Sequence, residues 1–176
     1  MNPYENCPTF TTKNFTIRLI NKDDSVNLFE CYHDKTSVEF MNDDNCDFGF
    51  YVDTLDNMAT TVKYWIEFYE KQYFIRFSII DNETNKAIGT IEGFNGDIGV
   101  LRIDIKSEYE KAIYLSQLLN IAKETFYELF GNQSLVIKAI PTAIERRLAL
   151  EKSDWKYINL YKGYEHYYQA ETTKQA

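Results

Sequence analysis

This sequence predicts an α/β (α+β) domain with a mixed, mostly antiparallel sheet of about six to seven strands flanked by about four helices. Three observations carry that prediction. Runs rich in aromatic and β-branched residues recur, three of them in succession between residues 73 and 105 with polar turns between. A long stretch of helical periodicity follows at 107–130, and another lies upstream at about 54–69. Two last apolar runs, 155–160 and 164–168, flank Lys162-Gly163 as a hairpin flanks its turn.

In chain order, residues 1–14 are polar and hold Pro3 and Pro8, so a loose N-terminal arm is expected there. Phe15 to Leu19 alternates apolar and polar residues as a strand does. Asn21 to Asp24 starts a helix that continues through Val26, Leu28, Phe29 and Tyr32. The segment Asn42 to Asp47 is acidic and turn-rich, a solvated loop. Val62, Trp65, Ile66 and Tyr69 then give a second amphipathic helix. The runs 73–80, 86–94 and 100–105 read as an antiparallel meander. From Ser107 the stripe Ala112, Leu115, Leu119, Ala122, Phe126 and Leu129 marks the clearest helix. Ser107 with Glu110 forms its capping box and Gly131 its stop. A strand at 135–139, a helix at 143–152 and the hairpin complete one domain, 15–170, with 171–176 expected to be a disordered tail.

A chain of 176 residues with 44% hydrophobic and 16% aromatic content buries a core, which excludes a disordered protein. The net charge of −8 disfavours nucleic acid and anionic membrane surfaces, since both are held by Lys and Arg, and Arg146-Arg147 is too short a basic patch. Three cysteines without a CxxC pair, and two histidines far apart, suit neither a structural metal site nor a disulfide scaffold. Without a signal peptide or a membrane-spanning run, the expected location is the cytoplasm.

The order strand, helices, meander, long helix, strand, short helix, hairpin resembles that of the GNAT superfamily of acyl-CoA N-acyltransferases. Local segments resemble its branch of ribosomal-protein and small-molecule acetyltransferases. FTIRLINKDD is similar to the opening strand and helix start, IIDNETNKAIGTIEGF to the second and third strands with their Ile-Gly step, and LEKSDWKYI to the C-terminal signature. The resemblance implies the GNAT fold and transfer of an acetyl group from acetyl-CoA to a primary amine of a small molecule or peptide. It also places the cofactor against Ile105, Lys106, Glu110, Lys111, Ala112, Ile113, Tyr114 and Leu115, and the base at Glu92 or Asp104. In the family the cofactor loop is patterned Arg/Gln-x-x-Gly-x-Gly/Ala, so that backbone N–H groups at a helix N-terminus meet the pyrophosphate. In this register Glu110 takes the Arg/Gln position, and Ile113 and Leu115 take the two small ones. Glu108 and Glu110 each repel a phosphate by about 1 kcal/mol in a partly screened site, offset in part by Lys106 and Lys111. Ala143 and Leu150 stand where family members carry a cofactor-contacting Asn and an acidic Tyr.

Two functions therefore compete: an acetyltransferase, and a catalytically inactive GNAT-fold module that binds a ligand or a protein. The inactive module would fill the cofactor slot with Ile113, Tyr114 and Leu115. Glu92 and Asp104 otherwise belong to the solvated face of a sheet. Asp43, Asp44 and Asp47 would draw a cationic amine. Cys31 and His33 diverge on a helix and make a poor nucleophile–base pair. Tyr161, Tyr164, Tyr167 and Tyr168 suit hairpin packing or a homodimer face.

Overall fold

Pairing of the middle strands organises the molecule, which was obtained as a computed structural model and is described over residues 2–172. Strands β1 (Phe10–Thr11), β2 (Phe15–Leu19), β3 (Ile75–Asp81), β4 (Ala87–Gly93) and β6 (Arg102–Ile105) form an antiparallel sheet in the order β1-β2-β3-β4-β6. A second sheet runs β5-β7-β9-β8, from β5 (Ile98–Val100), β7 (Ser134–Lys138), β9 (Tyr164–Glu171) and β8 (Lys156–Tyr161). Only the β5–β7 pair in it is parallel. This is the GNAT fold.

Helices cover both faces of the first sheet, which is why every residue of β3 and β4 is buried. On one face α4 (Ala112–Phe130) packs Leu115, Leu119 and Phe126 against Phe15, Phe77 and Ile91. On the other, α1 (Ser25–Tyr32) and α3 (Leu55–Glu70) contribute Leu28, Tyr32, Met58, Val62 and Trp65. The short α2 (Lys35–Val38) follows α1, and α5 (Ile144–Lys152) packs against α4.

Strands outnumber the sequence expectation for two reasons. Phe10–Thr11 pairs with β2, and the run 98–105 divides between the sheets at Leu101. The expected loose arm is therefore packed: Tyr4 is buried, with its ring centroid 6.0 Å from that of Tyr69. Of the expected tail, Glu171 closes β9, while 173–176 lie outside the described residues. The long helix starts at Ala112, not Ser107. Ser107–Tyr109 is a separate 3-10 turn, because the Ser107 hydroxyl donates to Asp34 and Glu110 turns to an arginine instead of closing a capping box. Gly131 does end the helix, in the left-handed conformation at φ 69°.

Candidate functional site

The site is created where one strand changes sheets. Val100 pairs with Val136 of β7, and the Leu101 N–H still donates to the Val136 carbonyl at 2.8 Å. From Arg102 onward the chain pairs with β4 instead, while β7 continues along β9. The two strands part above the start of α4, leaving a slot. Gly89 lets β4 and β6 close on its other side: a Cβ there would lie 2.1 Å from the Asp104 carbonyl oxygen.

Arg146 occupies the slot. It lies on the inward stripe of α5 with Ala149 and Leu150, and its Nη2 donates to the Ile103 carbonyl at 2.9 Å. Nε and Nη2 also fork onto Glu110 at 2.7 and 2.8 Å, with the two side chains 3% and 7% exposed. Burial opposes the charge of Arg146, but Glu110 outweighs it and keeps the guanidinium pKa raised. Next to it, Glu145 Oε2 accepts the Ala112 N–H at 2.7 Å, so a carboxylate sits on the first donor of α4.

The residues expected to hold a cofactor are thus accounted for. Ile105 and Leu115 are buried in the core, and Lys106 pairs with Glu30. The Tyr114 and Leu115 N–H groups bond to the Lys111 carbonyl, and the Tyr114 ring packs on Phe15 and Tyr109. Lys111 is the exposed residue before α4. Ile113 is 69% exposed, so the expectation that Ile113, Tyr114 and Leu115 fill the slot is corrected in favour of Arg146. Glu110 and Glu145 thus place two carboxylates at the start of α4, the Ala112 N–H is taken, and the exposed Lys111 is the cation beside them.

Glu92 and Asp104 do not lie on a solvated face; they are 5% and 0% exposed. β3, β4 and β6 bring them together around Arg76, whose Nη2 reaches Glu92 Oε2 at 2.6 Å and whose Nη1 reaches Asp104 Oδ2 at 2.8 Å. Arg102 takes the other Glu92 oxygen at 2.7 Å. Asp104 Oδ2 also accepts from the Tyr32 hydroxyl at 2.7 Å, while Oδ1 has no partner among the described residues. Burial raises the Asp104 pKa against the pull of Arg76, and burial likewise keeps the Tyr32 phenol protonated. Both Glu92 carboxylate oxygens are held by guanidinium groups, Arg76 on one and Arg102 on the other. The network leaves the sheet through Arg102, which donates to the Asn42 and Asp44 carbonyls. The acidic loop is anchored at one point and exposed elsewhere: Asp44 pairs with Lys138 at 2.7 Å and accepts from the Tyr167 hydroxyl at 2.9 Å, while Asp43 and Asp47 face solvent.

Arg146 stands out in the sequence only as part of a short basic patch, and Glu145 and Arg76 do not stand out at all. The available signals were an arginine on the apolar stripe of a helix and one within a strand of continuous hydrophobic residues. Cys31 and His33 form no pair: Cys31 is buried with its thiol pKa well raised by burial, and His33 Nδ1 meets the Val52 carbonyl. Among the described residues no group of His, Cys, Asp and Glu could hold a metal ion, and no helix is long and apolar enough to cross a membrane.

No family model and no curated protein matches the chain by sequence. Solved structures match it along nearly its whole length. A ribosomal-protein-S5-alanine acetyltransferase from Vibrio fischeri is 14% identical at a TM-score of 0.73, over 96% of this chain and 99% of that one. RimL, a ribosomal L7/L12 alpha-N-protein acetyltransferase solved with coenzyme A, is 11% identical at 0.66, over 93% and 98%. The microcin C7 self-immunity acetyltransferase MccE, solved with acetyl-CoA and AMP, is 10% identical at 0.68, over 91% and 93%.

Proposed function

On the GNAT fold that this chain adopts, we propose a cytoplasmic ligand-binding protein rather than an acetyl-CoA-dependent transferase. The Arg146–Glu110 pair in the slot carries that reading. A diphosphate approaching α4 would have to displace Glu110 from Arg146 and the exposed Glu145 from the Ala112 N–H, leaving the enclosed Glu110 carboxylate unpaired beside new negative charge. Unpairing one buried ion costs about 4 kcal/mol. That corresponds to about a thousandfold in affinity, enough to take a micromolar cofactor to millimolar. Calorimetric titration with acetyl-CoA and CoA tests it, beside a thermal-shift assay that reports the folded state. No heat of binding up to millimolar concentration is expected, and saturable micromolar binding of either overturns the reading.

The second reading is acetyl transfer to a primary amine. The splay of β6 from β7 favours it, together with the likeness to enzymes solved with CoA and acetyl-CoA. The same titration separates the two.

A further inference from the structure

Helix α3 carries two stripes. Met58, Val62 and Trp65 are buried against α1 and the sheet. Asn57, Thr60, Thr61, Tyr64 and Phe68 repeat the same spacing on a neighbouring face, where a soluble helix ordinarily turns charged residues to water. That face lines a cavity of about 910 Å³ whose opposite wall is the loop 46–53. Its aromatic lining is Tyr64, Trp65 and Phe68 from the helix and Phe48, Phe50 and Tyr51 from the loop, with Tyr32 of α1 at its base. Phe48 is 84% exposed and Tyr64 55%, so large rings stand uncovered at one mouth. The two charged residues lining the cavity, Asp47 and Asp53, are both acidic.

The rings of this wall already take positive charge. The Arg76 guanidinium lies 4.7 Å from the Trp65 ring centroid and 5.8 Å from that of Phe50, and Lys35 Nζ lies 5.9 Å from that of Tyr51. Arg76 is neutralised by Glu92 and Asp104, so it sets no positive field against an incoming cation. Lys35 opposes it, and Arg102 near the lining residue Cys46 is paired with Glu92, against two carboxylates and a chain of net charge −8. Aromatic faces attract cations through their quadrupole, and more strongly where water is excluded.

We propose that this cavity binds a small organic cation with an aromatic body, its ring among Tyr64, Trp65 and Phe50 and its charge against Asp47 and Asp53. This names the ligand class for the binding role above, but at a different site, so acetyl-CoA binding would end that role and leave this one standing.

The test is a titration of the full chain at neutral pH with benzyltrimethylammonium, 2-phenylethanol and 3-phenylpropionate, which share a ring and differ in charge. It is followed by calorimetry and by tryptophan fluorescence, since one of the two tryptophans, Trp65, lines the cavity. Saturable binding of the cation is expected, at least about tenfold tighter than the alcohol, with no binding of the anion. The exposed double substitution Asp47→Asn with Asp53→Asn should erase that preference, and Tyr64→Ala should weaken the cation about tenfold while the thermal transition is retained. Equal binding of all three probes, no binding by folded protein, or cation binding indifferent to these substitutions would each overturn the proposal.

Discussion

Single side chains set the largest energies here because several charges are buried as pairs. Arg146→Met strands Glu110 in the slot, and we expect a loss of about 3 kcal/mol. In a chain of this size that lowers the melting temperature by roughly 6–12 °C. Adding Glu110→Gln should restore most of it, since both charges are then gone; thermal unfolding followed by circular dichroism reads both. Asp24 gives a pH-dependent counterpart. Burial raises its pKa, but the Arg18 fork, the Asn21 N–H and the Ser78 hydroxyl outweigh burial and hold it below the ordinary value. A folded-state pKa below the unfolded one stabilises above about pH 4 and ceases to as pH falls through the folded value. Asp104, with its pKa raised, acts in the opposite sense, so wild type must be compared with Asp24→Asn. The variant should be about 2 kcal/mol less stable at neutral pH and flatter below pH ~4 in urea titrations.

At the scale of elements, the sheet depends on a close approach at Gly89. A Cβ there meets not only the Asp104 carbonyl oxygen but also Ile105 Cα at 2.8 Å, and backbone atoms within a ladder have little room to yield. Gly89→Ala should cost about 3 kcal/mol or more, visible as an earlier denaturation midpoint. Gly49→Ala is the control: nothing lies within 4 Å of its Cβ, and a change within about 0.5 kcal/mol is expected. The α4 stop belongs to this scale too. Gly131 holds φ 69°, so Gly131→Ala should lose about 1 kcal/mol.

Over the whole molecule, one polar network joins both sheets to the loop that walls the aromatic cavity. It runs from Asp104 through Arg76, Glu92 and Arg102 to Asp44, and from there to Lys138 and Tyr167 in the second sheet. Arg76 is its centre and opposes two buried carboxylates at once. Arg76→Met leaves both without their shared partner, and we expect more than about 4 kcal/mol of destabilisation or no cooperative unfolding transition at all. A loss below about 1 kcal/mol would show that the network is incidental to the fold.

The local order of this protein is written in its sequence. Side-chain periodicity and turn residues act over a few positions, so α3, α4, the meander and the last hairpin are legible, as is the Gly131 stop. The sequence order of these elements also carries the GNAT topology. The state of the slot is different. Glu110 and Arg146 are 36 residues apart, Arg76 and Asp104 are 28 apart, and Tyr167 and Asp44 are 123 apart. No short-range pattern distinguishes a carboxylate that will be buried against a guanidinium from one that will face water. Only the tertiary structure decided that Glu92 and Asp104 are buried against Arg76, that Arg146 pairs with Glu110 beside β6, and that a second stripe of α3 opens onto a cavity, because burial and charge pairing are properties of the packed chain.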